Sequence, residues 1–495
     1  MIRIESEQRV DVLRQVALLQ EREIRTLYQR NEYLTTELVR LQGGDASALQ
    51  LELEQLRELL ARRERALFAE SSEKRPQPPS EEAPVEKPAP RGHGPQAQPR
   101  LPEIERLHEL PESQRECPQC GGQLVPLGDQ SEDCEEITVV ERHFVLVKQR
   151  CRKYRCRCNA SVVTAPGPRK LIPGGRYSPE FAVEVAISKY ADHLPLERQA
   201  GVMEREGLKI GSQTLWDQID ALAGHLKPTY EALCARVLAS PRIGADETYW
   251  RLMGGEESSR WWVWCLTGDE GVVYRLCSSR SAKAASALLG GYRGIVIADG
   301  YGVYESLARD GPSFTLAHCW AHVRRKFVEI EPNYPAACSQ ILDRIGELYA
   351  IERLAPTSKP ETAPLRAQLR RERSRPIVED IRRWALSQGA LPRSGLGRAI
   401  RYMLGLWSGL TRFLDDPRIP LDTNAVERAL RGVVVGRKNH YGSRSRRGTE
   451  VAALFYTLCE SAKLTGVEPR RYLLAATHAA IDTPGTATLP QSLLD

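Results

Sequence analysis

The sequence contains no run near the roughly 18 apolar residues that a membrane span needs, and its first residues, Met1-Ile-Arg-Ile-Glu-Ser-Glu7, carry no apolar signal core. Membrane insertion and export are therefore not expected, and a cytoplasmic location is. A large charge imbalance is also missing. The 70 Lys+Arg against 64 Asp+Glu leave a formal net charge of +6, so the position of the basic residues says more about partners than their total. Cysteine, in contrast, is not scarce. Twelve cysteines in a 495-residue chain expected inside the cell argue against a disulfide scaffold and for metal ligands. A 41% hydrophobic content is enough for real cores, and the length implies several domains.

Three acids stand out, each in its own short stretch. Asp246 lies in Ile243-Gly-Ala-Asp-Glu-Thr-Tyr249, and Asp299 in Ile295-Val-Ile-Ala-Asp-Gly-Tyr301. Both stretches are apolar, β-prone runs that end in an acid. Glu427 lies in Leu421-Asp-Thr-Asn-Ala-Val-Glu-Arg428, which reads as the first turn of a helix. Two carboxylates at strand ends and a third from a crossing helix can hold two Mg²⁺ (or Mn²⁺) ions side by side on a phosphodiester. Glu247 competes with Asp246, because alternation sends neighbours on a strand to opposite faces and only one can serve. Asp422 is the rival of Glu427, and an Asp before Gly, as at Asp299, is often only a turn residue.

Further motifs follow in order. They are Cys319-Trp-Ala-His-Val-Arg-Arg-Lys-Phe327, Asn424-Ala-Val-Glu-Arg-Ala-Leu-Arg431, Gly436-Arg-Lys-Asn439 and Lys463-Leu-Thr-Gly-Val-Glu-Pro469. With the Asp246 and Asp299 stretches, this series closely resembles the transposases of the insertion-sequence-66 family, bacterial enzymes with an Asp-Asp-Glu site. The resemblance runs from about Leu101 to about Leu474. It implies an RNase H-like catalytic domain, Asp246 rather than Glu247 as the first acid, a zinc-finger module, and small accessory proteins encoded beside the transposase.

The expected architecture is multidomain α+β. Residues 8–65 read as a coiled coil: Ile24, Asn31 and Leu38 take one heptad position and Leu27, Leu34 and Leu41 the other, so a homo-oligomer is expected. Residues 70–102, rich in Pro, Glu, Ser, Gln and Gly, read as a flexible linker. Residues 112–165 read as a Zn²⁺ ribbon with Cys117, Cys120, Cys156 and Cys158 as ligands and β-prone runs at Glu136–Val140 and His143–Val147. The second knuckle has one residue between its cysteines where two are usual, and Cys151 lies close enough in sequence to replace either. Residues 176–228 read as a helix-turn-helix with helices Ser178–Ala191, Pro195–Glu206 and Ser212–Leu226. Ser178 and Ser212 are N-cap candidates, and Gln213 and Thr214 are placed at base edges.

Residues 240–480 read as the catalytic domain: three strands, a helix, the strand delivering Asp299, and a helical insertion over 335–414. Residues 481–495 read as a tail. His322 is placed near the scissile phosphate, as a neutral imidazole that donates a hydrogen bond or relays a proton, with a capped core histidine as the alternative. Arg324, Arg325 and Lys326 are expected to clamp the DNA backbone. So is a glycine-containing loop bearing Arg428, Arg431, Arg437, Lys438, Arg444, Arg446 and Arg447. The expected activity is cleavage of double-stranded DNA at element ends and transfer of the freed strand to target DNA, in the bacterial cytoplasm at the nucleoid. The competing readings are an RNase H-like nuclease that does not join, and a DNA-binding regulator with a decayed catalytic domain.

Overall fold

A computed structural model describes residues 143–155, 162–254, 260–310 and 314–494, with 118–126 and isolated positions before them. The coiled-coil seam residues, the linker, Glu136–Val140, Cys117, Cys156 and Cys158 lie outside the described residues. The chain divides into two compact units, residues 72–143 and the remainder. In the smaller unit, Pro118–Cys120 form a turn. Among the described residues, no helix is long and apolar enough to cross a membrane.

In the larger unit, a two-stranded ribbon pairs β1 (Lys153–Arg155) antiparallel with β2 (Val162–Thr164). His143–Val147, β-prone by composition, forms no strand among the described residues. The sequence preference is there, but the described residues supply no ladder partner to satisfy it. Three helices follow: α1 (Pro179–Tyr190), α2 (Leu196–Arg205) and α3 (Ser212–Leu238). Ser178 caps α1 by accepting from the Phe181 N–H at 3.3 Å. Ser212 does not cap α3. Gly211 is the N-cap, and the Ser212 hydroxyl donates to Glu197 of α2 at 2.7 Å. Helix α3 also runs past Leu226 and carries Pro228 inside it. Proline forfeits one backbone bond and strains a helix interior. Here burial of Leu226, Thr229, Leu233, Cys234 and Val237 along the continued face outweighs that cost.

A five-stranded mixed sheet comes next, with order β5-β4-β3-β6-β7. Strands β3 (Arg242–Arg251), β4 (Arg260–Thr267) and β5 (Val272–Cys277) form an antiparallel meander. After α4 (Ala282–Leu289), strand β6 (Ile295–Ala298) pairs parallel with β3, and after α5 (Gly302–Asp310), strand β7 (Thr315–His318) pairs parallel with β6. The whole is a mixed α/β structure. Strand β6 is buried at all four positions, as a parallel strand covered on both faces should be.

Helix α6 (Trp320–Ile330) leads into a helical region made of α7 (Pro335–Leu354), α8 (Ala363–Leu369), α9 (Arg375–Ser387), α10 (Gly395–Gly405) and α11 (Trp407–Thr411). This region has its own hydrophobic cluster, which includes Ile295, Ile297 and Ala317 of the sheet. The chain then returns as α12 (Asn424–His440), α13 (Arg446–Leu464) and α14 (Pro469–Asp482). These three share one core with α1, α2, α3 and the meander.

One expectation changes in this context. Residues 483–494 are not a free tail: Thr488 and Gln491 bond to Thr229 and Glu270, and Pro490 is buried. In the basic run Leu365–Arg373, Arg366 and Arg370 point inward and are buried. Arg370 forms a two-pronged bond with Glu352 (2.7 and 2.6 Å) and donates to the carbonyls of Phe413, Asp416 and Ile419. It holds the chain turn that leads out of the insertion toward α12. Removing one partner of a buried pair leaves the other uncompensated, at roughly 3–5 kcal/mol. Arg370→Ala is therefore expected to lower the unfolding free energy of this unit by about that amount, as a reduced midpoint in urea denaturation.

Candidate active site

The sheet register sets two of the three acids side by side. Gly244 of β3 pairs with Ile297 of β6 in parallel register, so Asp246 and Asp299 each lie two residues further on. Asp299 follows the last residue of β6 as expected, whereas Asp246 does not end its strand but sits in the middle of β3, which runs on to Arg251 in its ladder with β4. Asp299 also serves as a turn residue: its Oδ1 accepts the Tyr301 N–H at 3.0 Å. Its carbonyl accepts from Nδ1 of the buried His318 at 3.1 Å.

Glu427 is delivered by the first turn of α12. Gly244 allows this approach, since a Cβ there would stand 2.4 Å from Val426 Cγ2. The loop before α12 is tied to the start of α6 by the Trp320 N–H donating to the Leu421 carbonyl (2.9 Å) and the Thr423 N–H to Cys319 Sγ (3.3 Å). That tie brings His322 Nε2 to 3.6 Å from Glu427 Oε1, while Arg325 Nη2 lies 3.5 Å from Oε2.

Strand alternation separates the two adjacent acids of β3. The Glu247 side chain is fully buried, held by Arg280 and by the Tyr304 hydroxyl at 2.7 Å. Its oxygens are spoken for. Asp246 accepts the Glu247 backbone N–H at 2.7 Å and lies in the electrostatic reach of Asp299 and Glu427. Asp422 accepts from the N–H and amide of Asn424, a role that shapes the entry to α12.

Burial raises the Asp246 carboxyl to about 7; the Glu247 N–H opposes this, and the charges of Glu247, Asp299 and Glu427 add to it. Burial lowers His322 below the usual histidine range, against the pull of Glu427 and Asp299, so its imidazole is neutral at pH 7. The His322 Nδ1 and Glu427 Oε1 atoms are buried without hydrogen-bond partners. Crowded, mutually repelling carboxylates with an unsatisfied oxygen are a donor set suited to a hard divalent cation. Among the described residues, however, no three His, Cys, Asp or Glu side chains close on a single point as the ligands of one ion would. For the cysteine site, Cys120 and Cys151 are described, and both are exposed free thiols.

The basic residues take several positions. Residues 424–440 form one helix, so Arg428, Arg431, Arg437 and Lys438 are not on a loop. Gly436 is needed inside that helix because a Cβ would meet the Tyr456 hydroxyl at 2.1 Å. The true turn is short, beginning at Tyr441 with φ 62°. Arg428, Arg431, Lys438, Arg444 and Arg446 are exposed. Arg437 instead donates to the Tyr249 carbonyl and to Thr248, tying α12 to β3. Arg447 pairs with Asp220 of α3 at 2.7 Å. Arg324 is half-buried and Lys326 exposed. Gln213 is exposed and bonded to Asp217, and Thr214 is partly buried. Sequence reasoning missed Gly244 and the pairing of Arg280 with Glu247; a glycine two residues before the acid was the available signal for the first.

Residues 174–451, more than half of the chain, match the family model described as "Transposase IS66 family". The chain is also similar to three proteins of Sinorhizobium fredii (strain NBRC 101917 / NGR234). It is 33% identical to uncharacterized protein y4jD over 416 residues, which covers 80% of each chain. It is 30% identical to uncharacterized protein y4hP over 414 residues (78% and 74%), and 32% identical to uncharacterized protein y4qI over 391 (75% and 71%). A mixed sheet presenting acids in register on the neighbouring strands β3 and β6 thus occurs here in a protein of the transposase class. Within that class, the chain belongs to the IS66 family.

The raised Asp246 carboxyl gives a signed prediction. A carboxyl ordinarily near 4 that sits at about 7 in the folded chain makes the folded state bind more protons between those values. Metal-free stability should therefore fall as pH rises through this window and level off above it. Asp246→Asn is expected to raise the metal-free melting temperature at pH 8 and to flatten the slope between pH 5 and 8.

Proposed function

We propose that this protein is a metal-dependent transposase that cleaves DNA at the ends of its element and joins the freed 3′-hydroxyl to target DNA, using Asp246, Asp299 and Glu427. The observation that carries this reading is the parallel register of β3 and β6, which sets Asp246 beside Asp299 with Glu427 brought over them by α12. Three antiparallel strands followed by two parallel ones, in the order β5-β4-β3-β6-β7, support an RNase H-like assignment for the sheet. Membership of a transposase family supports the class of reaction.

The three carboxylates would hold Mg²⁺ or Mn²⁺. Such ions, when bound, lower the pKa of an attacking water or hydroxyl and neutralise charge on the phosphate. The chain's own groups do the rest. Arg325 holds Glu427 in place. His322, neutral and beside Glu427, offers a ring nitrogen that accepts or donates a proton at the reacting oxygens. Arg428, Arg431, Lys438, Arg444 and Arg446 present charge to the phosphate backbone.

The remaining roles belong to the same reading. A cysteine-ligated zinc module and the start of α3, with the exposed Gln213 and the partly buried Thr214, would recognise the ends. The N-terminal heptads would pair subunits, and small proteins of the same element would assist, at the bacterial nucleoid.

The direct test mixes purified protein, labelled end DNA and a target plasmid with Mg²⁺. Joined product is expected from the intact protein and not with chelator. Asp299→Ala should lower the yield by more than about a thousandfold, the scale of losing one member of a catalytic unit. Cleavage without joining would assign a nuclease, and end binding without chemistry a regulator. Separately, Arg431→Ala and Lys438→Ala should weaken binding across all sequences and reduce the log–log salt slope by about 1 each.

A further inference from the structure

Glu247 follows Asp246 on β3, and Tyr301 lies two residues beyond Asp299. Arg280, in the turn between β5 and α4, joins the two. Its Nε donates to Glu247 Oε1 at 2.7 Å, and Nη2 pairs with the same oxygen. The other oxygen, Oε2, accepts from the Tyr304 hydroxyl of α5 at 2.7 Å. The Arg280 guanidinium carbon lies 3.8 Å from the centroid of the Tyr301 ring and 4.9 Å from that of Trp262. Tyr301 closes the ring of contacts, since its hydroxyl donates to the Arg280 carbonyl at 2.7 Å and its N–H donates to Asp299 Oδ1 at 3.0 Å.

Burying an ion pair gains little net stability, because desolvation consumes most of the attraction. Stability alone is thus a weak reason for placing a fully buried Glu247 here. Position gives a stronger one. Neighbouring side chains on a strand point to opposite faces, so fixing Glu247 fixes the rotation of β3 at Asp246. The guanidinium, set over the Tyr301 ring, fixes the loop whose N–H holds the Asp299 carboxylate. One arginine therefore links the backbone of both acids across two strands.

We propose that Glu247, Arg280 and Tyr301 are positioning residues that set the separation and orientation of the Asp246 and Asp299 carboxylates and thereby the affinity of that pair for a divalent ion. This inference rests on the reading of Asp246 and Asp299 as metal-holding acids. Groups that orient metal ligands from behind typically change metal affinity roughly 10–100-fold when replaced.

The test uses the full-length protein with Mn²⁺ as the probe and no DNA, so that no turnover is needed. Free Mn²⁺ is followed by electron paramagnetic resonance, and melting is recorded in chelator for each variant. Asp246→Asn and Asp299→Asn are expected to abolish the tight Mn²⁺ binding seen in the intact protein. Arg280→Gln and Glu247→Gln should weaken it roughly 10–100-fold, with the double variant no worse than either single, as for residues acting through one linkage. Arg280→Lys keeps the charge but loses the planar group over the Tyr301 ring, so it should recover only part of the loss. Arg280 and Tyr301 are only partly buried, so Arg280→Lys and Tyr301→Leu carry the test if Glu247→Gln does not fold. Metal-free melting of these two should match that of the intact protein.

Wild-type Mn²⁺ affinity in Arg280→Gln and Glu247→Gln, with binding lost in the two Asp→Asn variants, would overturn the positioning role and leave the metal site standing. Unaltered binding in the Asp→Asn variants, or none in the intact protein, would overturn both. Weakened binding accompanied by a lowered melting temperature in Arg280→Lys and Tyr301→Leu would reduce the three residues to folding contacts and overturn the proposal.

Discussion

Carboxylates held within electrostatic reach of one another repel, and much of this structure keeps three of them there. Asp246, Asp299 and Glu427 come from three separate elements, and the charges of the latter two disfavour ionisation of Asp246. A parallel ladder whose last pair lies two residues before each acid sets the first two in register. The third depends on side-chain packing, with α12 seated against β3 through Val426 over Gly244 and further along through Arg437 on the Tyr249 carbonyl. Both ends of the helix are thus pinned to the strand that carries Asp246, and the repulsion is met by geometry.

The helical region between the second and third acids is part of the same restraint. It is inserted in sequence, yet its core includes Ile295 and Ile297 of β6 and Ala317 of β7. The strand that ends in Asp299 is consequently packed from the insertion side as well as from its own layer. Trp320 makes the link concrete: fully buried, it donates through its indole N–H to the Leu410 carbonyl at 2.9 Å and through its backbone to Leu421. His322, one half-turn later, inherits its position from that anchor.

What the sequence shows and hides follows from which forces are local. The strands at Val272–Cys277 and around Asp246 were legible because alternation and β-branched content are properties of neighbours in the chain. So was the helical start before Glu427. Alternation could say that only one of Asp246 and Glu247 faces the acid site, but not which, because that depends on Arg280 and Tyr304 arriving from distant segments. The same holds for arginines. Arg437 and Arg447 read as clamps for a DNA backbone, and nothing local to Arg366 or Arg370 marks them as buried, since a charged side chain is rarely buried without a partner. The partners, which are carbonyls, Glu352 and Asp220, are separated from them in sequence. The course of α3 past Pro228 was hidden for the converse reason: a local penalty was visible and the compensating core was not.

Helix geometry adds an argument about how acid and base are combined on α12. At 3.6 residues per turn, positions four and eleven residues beyond Glu427 return close to its own direction. Those positions are Arg431 and Lys438, and both are exposed, while Val426, Ala429, Leu430 and Val433 face the core. One stripe of the helix therefore begins with the carboxylate at the acid site and continues as a basic track leading away from it. On the proposed reading, a phosphate backbone following that track would be drawn by Arg431 and Lys438 toward Glu427 and the neighbouring Asp246 and Asp299. A chain with a net charge of only +6 has little long-range attraction to offer DNA, so placing the cations in line with the acid site makes that small excess effective where the chemistry is proposed to occur.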